Sequence, residues 1–450
     1  MAADIPPLAV EASWSTHGTI LFGSGAVPLS SLPDSGGQPA PVTKLESGQI
    51  AHRAPRFFPD GRTFLFLADG VDPAIWMSSL DGGHPRRITS VASGTDSAAD
   101  YLPPGWLVRV RQKALVAQPF DADRGQLRDD LVTLSPAVAV DDRQVGSFSI
   151  SASGTIAWRA GEGARRELTW YDRRGNQLGT LKSADPLLLN AELSPDGKRV
   201  AITSGRRDVA DIWIIDGNHA SRLTFDPADD RIPIWPWDGT RIAYASDRNG
   251  RMGIYQKRTD GSGGEDVLLH LPDDDILPVS WSPDGRFILY KSAKNGGDLM
   301  VFPVAGGGKP FPFLNSPFNE DQGAFSPDGK WVAYGSNETG RFEVYVRPFP
   351  GPGRPWQIST NGGNSPRWRA DGKELYFVTP DRKLMAAAVT TTEADLTSGI
   401  PEMLFQTHVT RVPDKQQYDV TRDGRFLVLT EQEVSTEPIH LLVNWKRLSK

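Results

Sequence analysis

The chain contains no cysteine. That excludes disulfides, thiolate metal sites and cysteine nucleophiles, and it leaves the redox compartment open. No run of 18 apolar residues occurs, so no helical membrane span is expected in this chain. Residues 1–7 lack a basic region followed by an apolar core, so no signal peptide is expected here either. Positive charge is not in excess: 49 Lys+Arg stand against 55 Asp+Glu, a net charge of −6. Proteins that track phosphates usually carry a basic stripe, so nucleic acid is not an expected partner. No serine sits in a Gly-x-Ser-x-Gly elbow. The seven histidines show no two-histidine helical spacing of the zinc-enzyme kind.

What the chain has in quantity is turn residues, 45 glycines and 36 prolines, which suit many short strands joined by tight turns. One turn recurs as Ser194-Pro195-Asp196-Gly197, Ser282-Pro283-Asp284-Gly285 and Ser326-Pro327-Asp328-Gly329. Looser copies end at Gly18, Gly61, Gly105, Gly154, Gly239, Gly372 and Gly424. Successive turn glycines lie 42 to 52 residues apart, close to the roughly 40–45 residues of a four-stranded propeller blade. Units of that size cannot fold alone and bury their faces against neighbours. The expected fold is all-β, a β-propeller of ten four-stranded repeat units.

Within one unit, residues 276–281, 286–290 and 298–304 read as three antiparallel strands, with 309–314 as an outer fourth. In the turn, Pro presets φ, Asp bonds its own downstream backbone, and Gly accepts positive φ. The first four turns are degenerate and the later six hold the motif better. Residues 1–185 therefore read as a four-unit portion and 186–450 as a six-bladed ring, since one ring of ten exceeds the usual 4–8 blades. A single ten-bladed ring over 1–450 is the alternative. The last unit shows strands at 418–421, 425–430 and 439–445, and it needs an outer strand from elsewhere: the N-terminus or the residues before the six-unit portion. A monomer is expected.

The Trp281-Ser282-Pro283-Asp284-Gly285 turn, with Ile242-Ala243-Tyr244 and Ile254-Tyr255 in a neighbouring unit, resembles the WD40-like (PD40) units of TolB-type six-bladed propellers. The likeness covers essentially the whole chain. Segments 52–61, 168–173 and 341–351 are similar to the repeat regions that follow the membrane segment in some bacterial serine/threonine kinases. The kinase motifs themselves are absent. The resemblance implies an extracytoplasmic sensing or binding module, periplasmic or at the cell surface.

Loops running from an outer strand to the next inner strand should emerge together around the channel mouth, and several are acidic. The candidate binding residues there are Asp141, Asp142, Asp229, Asp230, Asp273, Asp274, Asp275, Glu320 and Asp321, with Asp96, Asp100, Asp185 and Asp226 in similar loops. Converging carboxylates would attract cations, basic peptides or hydroxyl-rich sugars, although Asp is also a good turn residue. Two loops break the pattern, one with His52 and Arg53, the other with Asn361, Gly362, Gly363 and Asn364. Trp235 and Trp237 are candidates for stacking on a sugar, against a core role. No cofactor is expected; a divalent cation such as calcium is left open, because the Asp-rich turns lack the full ligand series of a calcium loop. The leading expectation is a non-catalytic binding or scaffold propeller that presents a loop-rich, partly acidic face to a protein, peptide or glycan. The rival is a polysaccharide lyase or glycoside hydrolase with carboxylates from several blades at the channel mouth.

Overall fold

The computed structural model describes the chain except residues 1–8, 25–27, 71, 93–94, 142–143, 152, 162–165, 182–187, 207–208, 295–296, 306–307, 352, 393–394, 410–415, 432–437 and 444–450. The described residues form no α-helix and fall into ten antiparallel sheets, numbered here in chain order of their inner strands. They belong to two compact units, one comprising residues 1–164 and 433–450, the other 165–432.

In the second unit, sheet 5 opens with Leu188–Leu193, sheet 6 with Asp230–Ile234, sheet 7 with Ile276–Trp281, sheet 8 with Glu320–Phe325 and sheet 9 with Asn364–Trp368. Each continues through successive hairpins. Sheet 10 is composite: Tyr418–Val420 and Phe426–Glu431 pair with Arg166–Tyr171, which pairs with Gln177–Leu181. The missing outer strands thus come from residues before the ring. The second compact unit accordingly begins at Arg165.

Six apolar seams hold the six sheets, one for each adjacent pair. Leu168 and Leu427 of sheet 10 meet Leu188 and Ile202 of sheet 5. Ile212 meets Trp235 and Tyr244, Ile254 meets Ile288 and Tyr290, and Leu289 meets Tyr334 and Tyr345. Trp331 and Val344 meet Trp368 and Phe377. Tyr376 and Leu384 then meet Tyr418 and Phe426, which closes the circle. Each such side chain contributes roughly 1.5–3 kcal/mol on burial, and none of the seams exists within a single repeat.

The first unit has four sheets and three seams in a row. Sheet 1 opens with Ala9–Trp14, sheet 2 with Gln49–Phe57 and sheet 3 with Ala99–Leu102. Sheet 4 has three strands, Phe148–Ile150, Ile156–Arg159 and Ile439–Leu442. The strand expected at 439–445 as the third of the last repeat therefore belongs to sheet 4, because Arg166–Tyr171 already fills that place beside Phe426–Glu431.

The recurring turn works as a hydrogen-bonded clasp. In the first full copy Ser194 Oγ donates to Asp196 at 2.6 Å and accepts from the Arg199 amide at 2.9 Å, while Gly197 N–H donates to Ser194 O at 2.7 Å. Gly197, Gly285 and Gly329 sit at φ of 70°, 74° and 69°, where a β-carbon is disfavoured.

The inner strands carry a second repeated device. At Ala54, Ile232, Gln322 and Ser365, each seven residues before its turn glycine, φ is positive (49° to 56°) and the pairing register slips. On the inner strands of the other sheets of this set, Ser13, Glu192, Ser280 and Asp419 occupy the position five before the turn glycine. Each accepts a hydrogen bond from an amide of the next sheet: Phe57 at 3.1 Å, Trp235 at 3.3 Å, Phe325 at 3.2 Å and Leu193 at 2.8 Å respectively. These side chains, on sheets 1, 5, 7 and 10, tie neighbouring sheets across the seams.

Candidate functional site

Inner strands of the second unit all begin on one face, and the Ser-Pro-Asp-Gly turns lie on the other. On the first face a cavity of about 730 Å³ opens where sheets 8, 9 and 10 meet. Phe342, Val378, Pro380 and Val409 supply apolar wall, and Asn364 and Arg382 supply polar groups. Asn364 Oδ1 is buried without a hydrogen-bond partner. Room for that amide comes from Gly335, where an added β-carbon would lie 2.3 Å from Asn364 Oδ1. Asp381, also in the lining, accepts from Thr379 Oγ1 at 2.5 Å and pairs with Lys383 at 2.8 Å. Those bonds hold its carboxyl below the usual range. Arg382 is half-buried and has no ion pair or side-chain hydrogen bond among the described residues.

Deeper in the ring, Glu192, Arg367 and Asp419 come together from sheets 5, 9 and 10. Arg367 lies 3.8 Å from Asp419. Gln416 donates to Val279 O at 3.4 Å, reaching from the start of sheet 10 to sheet 7, and also bonds Glu192. Burial, then the neighbouring Asp419 charge, pushes the Glu192 carboxyl up to about 8. Burial also raises that of Asp419.

The raised Glu192 group gives a signed expectation. Between the ordinary range near 4.5 and about 8, the folded protein holds a proton that the unfolded chain has lost. Stability is then fully present below that range and is lost as pH rises to about 8, at no more than about 1.4 kcal/mol per pH unit for one proton. Glu192→Gln mimics the protonated form. The stability difference between wild type and variant, measured by urea denaturation from pH 5 to 9, is expected to change with this sign; parallel curves would count against it.

The acidic side chains singled out by sequence in the second unit sit on the inner-strand face, and most of them, though not Asp273 or Asp275, turn into the protein. Asp229 accepts from the Ala210 amide at 3.1 Å and pairs with Arg231 at 3.3 Å. Asp230, fully buried, pairs with Arg248 at 3.1 Å, and burial raises its carboxyl to about 6. Asp274 accepts from Ser292 Oγ at 2.5 Å and the Ala293 amide at 3.1 Å. Asp275 holds the Met252 amide and Arg251, Glu320 holds Ser316, and Asp321 holds Lys291. Most of these carboxylates thus anchor neighbouring strands. Asp273 alone of its trio is exposed. Asp274→Ala is accordingly expected to lower stability by about 1–3 kcal/mol, whereas Asp273→Asn leaves it unchanged; thermal unfolding of both variants decides.

Trp235 and Trp237 do not act as a pair. Trp235 is buried, its Nε1 donating to Glu192 O at 3.0 Å, while Trp237 is 56% exposed with Arg422 4.9 Å from its ring centroid. Both follow the inner strand whose start carries Asp230, so they lie on the opposite face from the acidic loops.

His52, Arg53 and Asp141 belong to the first unit. His52 is buried between Thr43 and Gln49 at 2.7 and 3.0 Å, and burial lowers its ring to about 4. Arg53 lies 3.5 Å from Asp69, and Asp141 accepts from the Val145 amide at 2.8 Å. Asp142 and Asp185 lie outside the described residues. Among the described residues no group of three or more His, Asp or Glu side chains is placed to hold a metal ion.

Sequence reasoning missed Arg382, Phe342 and the axial trio. A signal for Arg382 existed: the matched turns of sheets 6, 7 and 8 end at Gly250, Gly297 and Gly340, and the turn of sheet 9 ends at Arg382.

Residues 152–309 match the family model described as PD40, TolB beta propeller domain. The Tol-Pal system protein TolB of Anaeromyxobacter dehalogenans (strain 2CP-C) is 31% identical over 125 residues, 27% of this chain and 26% of that protein. The tricorn protease homolog 1 of Streptomyces coelicolor is 26% identical over 305 residues, 65% of this chain and 23% of that protein. The chain thus spans about a quarter of the length of these curated relatives. The solved putative TolB from Agrobacterium tumefaciens has 17% identity and a TM-score of 0.49, covering 60% of this chain and 99% of its own. The chain carries TolB-like propeller repeats. No described helix is long and apolar enough to cross a membrane.

Proposed function

We propose that the second unit is a non-catalytic binding propeller that docks a protein or peptide segment on its inner-strand face, in an extracytoplasmic compartment. The observation that carries this reading is the cavity of about 730 Å³, within the roughly 300–1,000 Å³ of ligand-accepting clefts. Its apolar walls and cation match the makeup of such clefts. The carboxylates that a glycoside-cleaving mechanism would need free are instead tied to amides and cations of neighbouring strands. The PD40 match and the TolB-like repeats are compatible with this reading, and the partner's identity is part of the proposal.

The absence of cysteine gives a clean test. A single cysteine at Asp381, carrying a bulky maleimide label, fills the cavity; one at Asp260 places the same label on the opposite face. A random-peptide library selected on the unlabelled protein is expected to yield clones displaced by the Asp381 label and not by the Asp260 label. Clones insensitive to both, or no clones, overturn the reading.

A further inference from the structure

We infer that the cavity recognises the free C-terminal carboxylate of a peptide chain, with Arg382 as the anion receptor; this rests on the binding reading above and specifies it.

The argument begins with the turn that carries Arg382. Four hairpins on this face close with the same hydrogen bond: Gly250 N–H to Asp247 O at 2.7 Å, Gly297 to Lys294 at 3.0 Å, Gly340 to Asn337 at 2.8 Å, and Arg382 to Thr379 at 2.8 Å. The closing residue has φ of 86°, 114°, 85° and 64° respectively. Three of the four use glycine, which occupies this region without penalty. Arginine there is conformationally disfavoured by about 1–2 kcal/mol. Strain of this kind clusters at ligand clamps, and here it coincides with a functional geometry. The strained residue lines the cavity, and its guanidinium meets no carboxylate among the described residues, whereas the adjacent Asp381 is already neutralised by Lys383.

A guanidinium presents a planar fork of donors that matches a carboxylate in two parallel hydrogen bonds. Phe342, Val378, Pro380 and Val409 ask for apolar surface. A C-terminal residue supplies both at once: a carboxylate and a side chain. The cavity of about 730 Å³ has room for more than one residue, which favours the end of a chain over a free amino acid.

The test uses the full chain and two synthetic hexapeptide libraries of identical composition, one with free C-terminal acids and one amidated, read by fluorescence polarisation. Acids are expected to bind the wild type at least tenfold tighter than amides. Arg382→Gly, which installs the residue of the three matched turns and so does not threaten folding, should reduce the acids to the level of the amides. Arg382→Lys should keep part of the preference. Single N-acetylated amino acids serve as the small-carboxylate arm and should bind at least tenfold more weakly than the hexapeptide acids; equal binding overturns the peptide assignment. Acids and amides binding equally, both displaced by the Asp381 label, would overturn the carboxylate inference while leaving the docking face intact. No library member displaced by that label would overturn both.

Discussion

Replacing Phe426 by Ala is expected to destabilise the second unit by about 3–5 kcal/mol, the range for removing a fully buried phenyl ring. Phe426 is completely buried in the seam between sheets 9 and 10, with ring centroids 5.0 Å from Tyr376 and 5.9 Å from Phe405. Its backbone pairs with Tyr171 on one side and Val420 on the other. The residue therefore joins two segments from opposite ends of the unit and packs them against a third. Losing its packing weakens a seam that depends on this composite sheet. Leu178, on the outer strand of the same sheet and 53% exposed, is the control: Leu178→Ala should fall within about 0.5 kcal/mol. Urea denaturation of both variants measures the contrast, and a loss below about 1 kcal/mol for Phe426→Ala would refute a closed ring held by this seam.

The second large effect lies in the first unit. Gly70 has φ of 149°, and a β-carbon there would sit 2.1 Å from Gly48 O and 2.9 Å from Gln49 Cα. Both obstacles are backbone, so no rotamer change relieves them. Gly70→Ala is expected to cost about 4 kcal/mol or more, in the exceptional tail of single substitutions. Gly48→Ala provides the contrast, since its φ is 84° but nothing lies within 4 Å of the added carbon; about 1–2 kcal/mol of conformational penalty is all it should show. Amide exchange across Gln49–Phe57 and Thr63–Gly70 should accelerate strongly in the first variant and modestly in the second.

The repeat was legible because its signal is local. Ser194, Asp196 and Gly197 form their hydrogen bonds within six residues, and a reader of sequence sees all the participants together. Closure was legible only as a deficit. The last repeat lacked an outer strand, but the pairing of Tyr171 with Phe426 spans most of the unit and leaves no local pattern. The acidic loops show a different limit. Their position at the starts of inner strands followed from the repeat. Whether Asp274 faces solvent or Ser292 depends on a partner 18 residues away, and spacing cannot reveal that. Arg382 stood in plain view as a departure from glycine at a repeated position, and its meaning needed the hydrogen bond that shows the four turns to be equivalent.

Sheet 4 is interrupted. Ile156–Arg159 and its partner Ile439–Leu442 flank the entire second unit, about 280 residues of chain. Synthesis proceeds from the N-terminus at roughly 5–20 residues per second, so the partner emerges some tens of seconds after the strand it completes. Through that interval Ile156–Arg159 presents an unpaired edge, the kind of surface that recruits strands from other chains. The six-sheet ring, whose last strand ends at Glu431, is ready before the edge is covered. A chain that stalls between the two strands would release a finished ring together with an open sheet, which makes nascent-chain length, rather than stability, the variable that governs its aggregation.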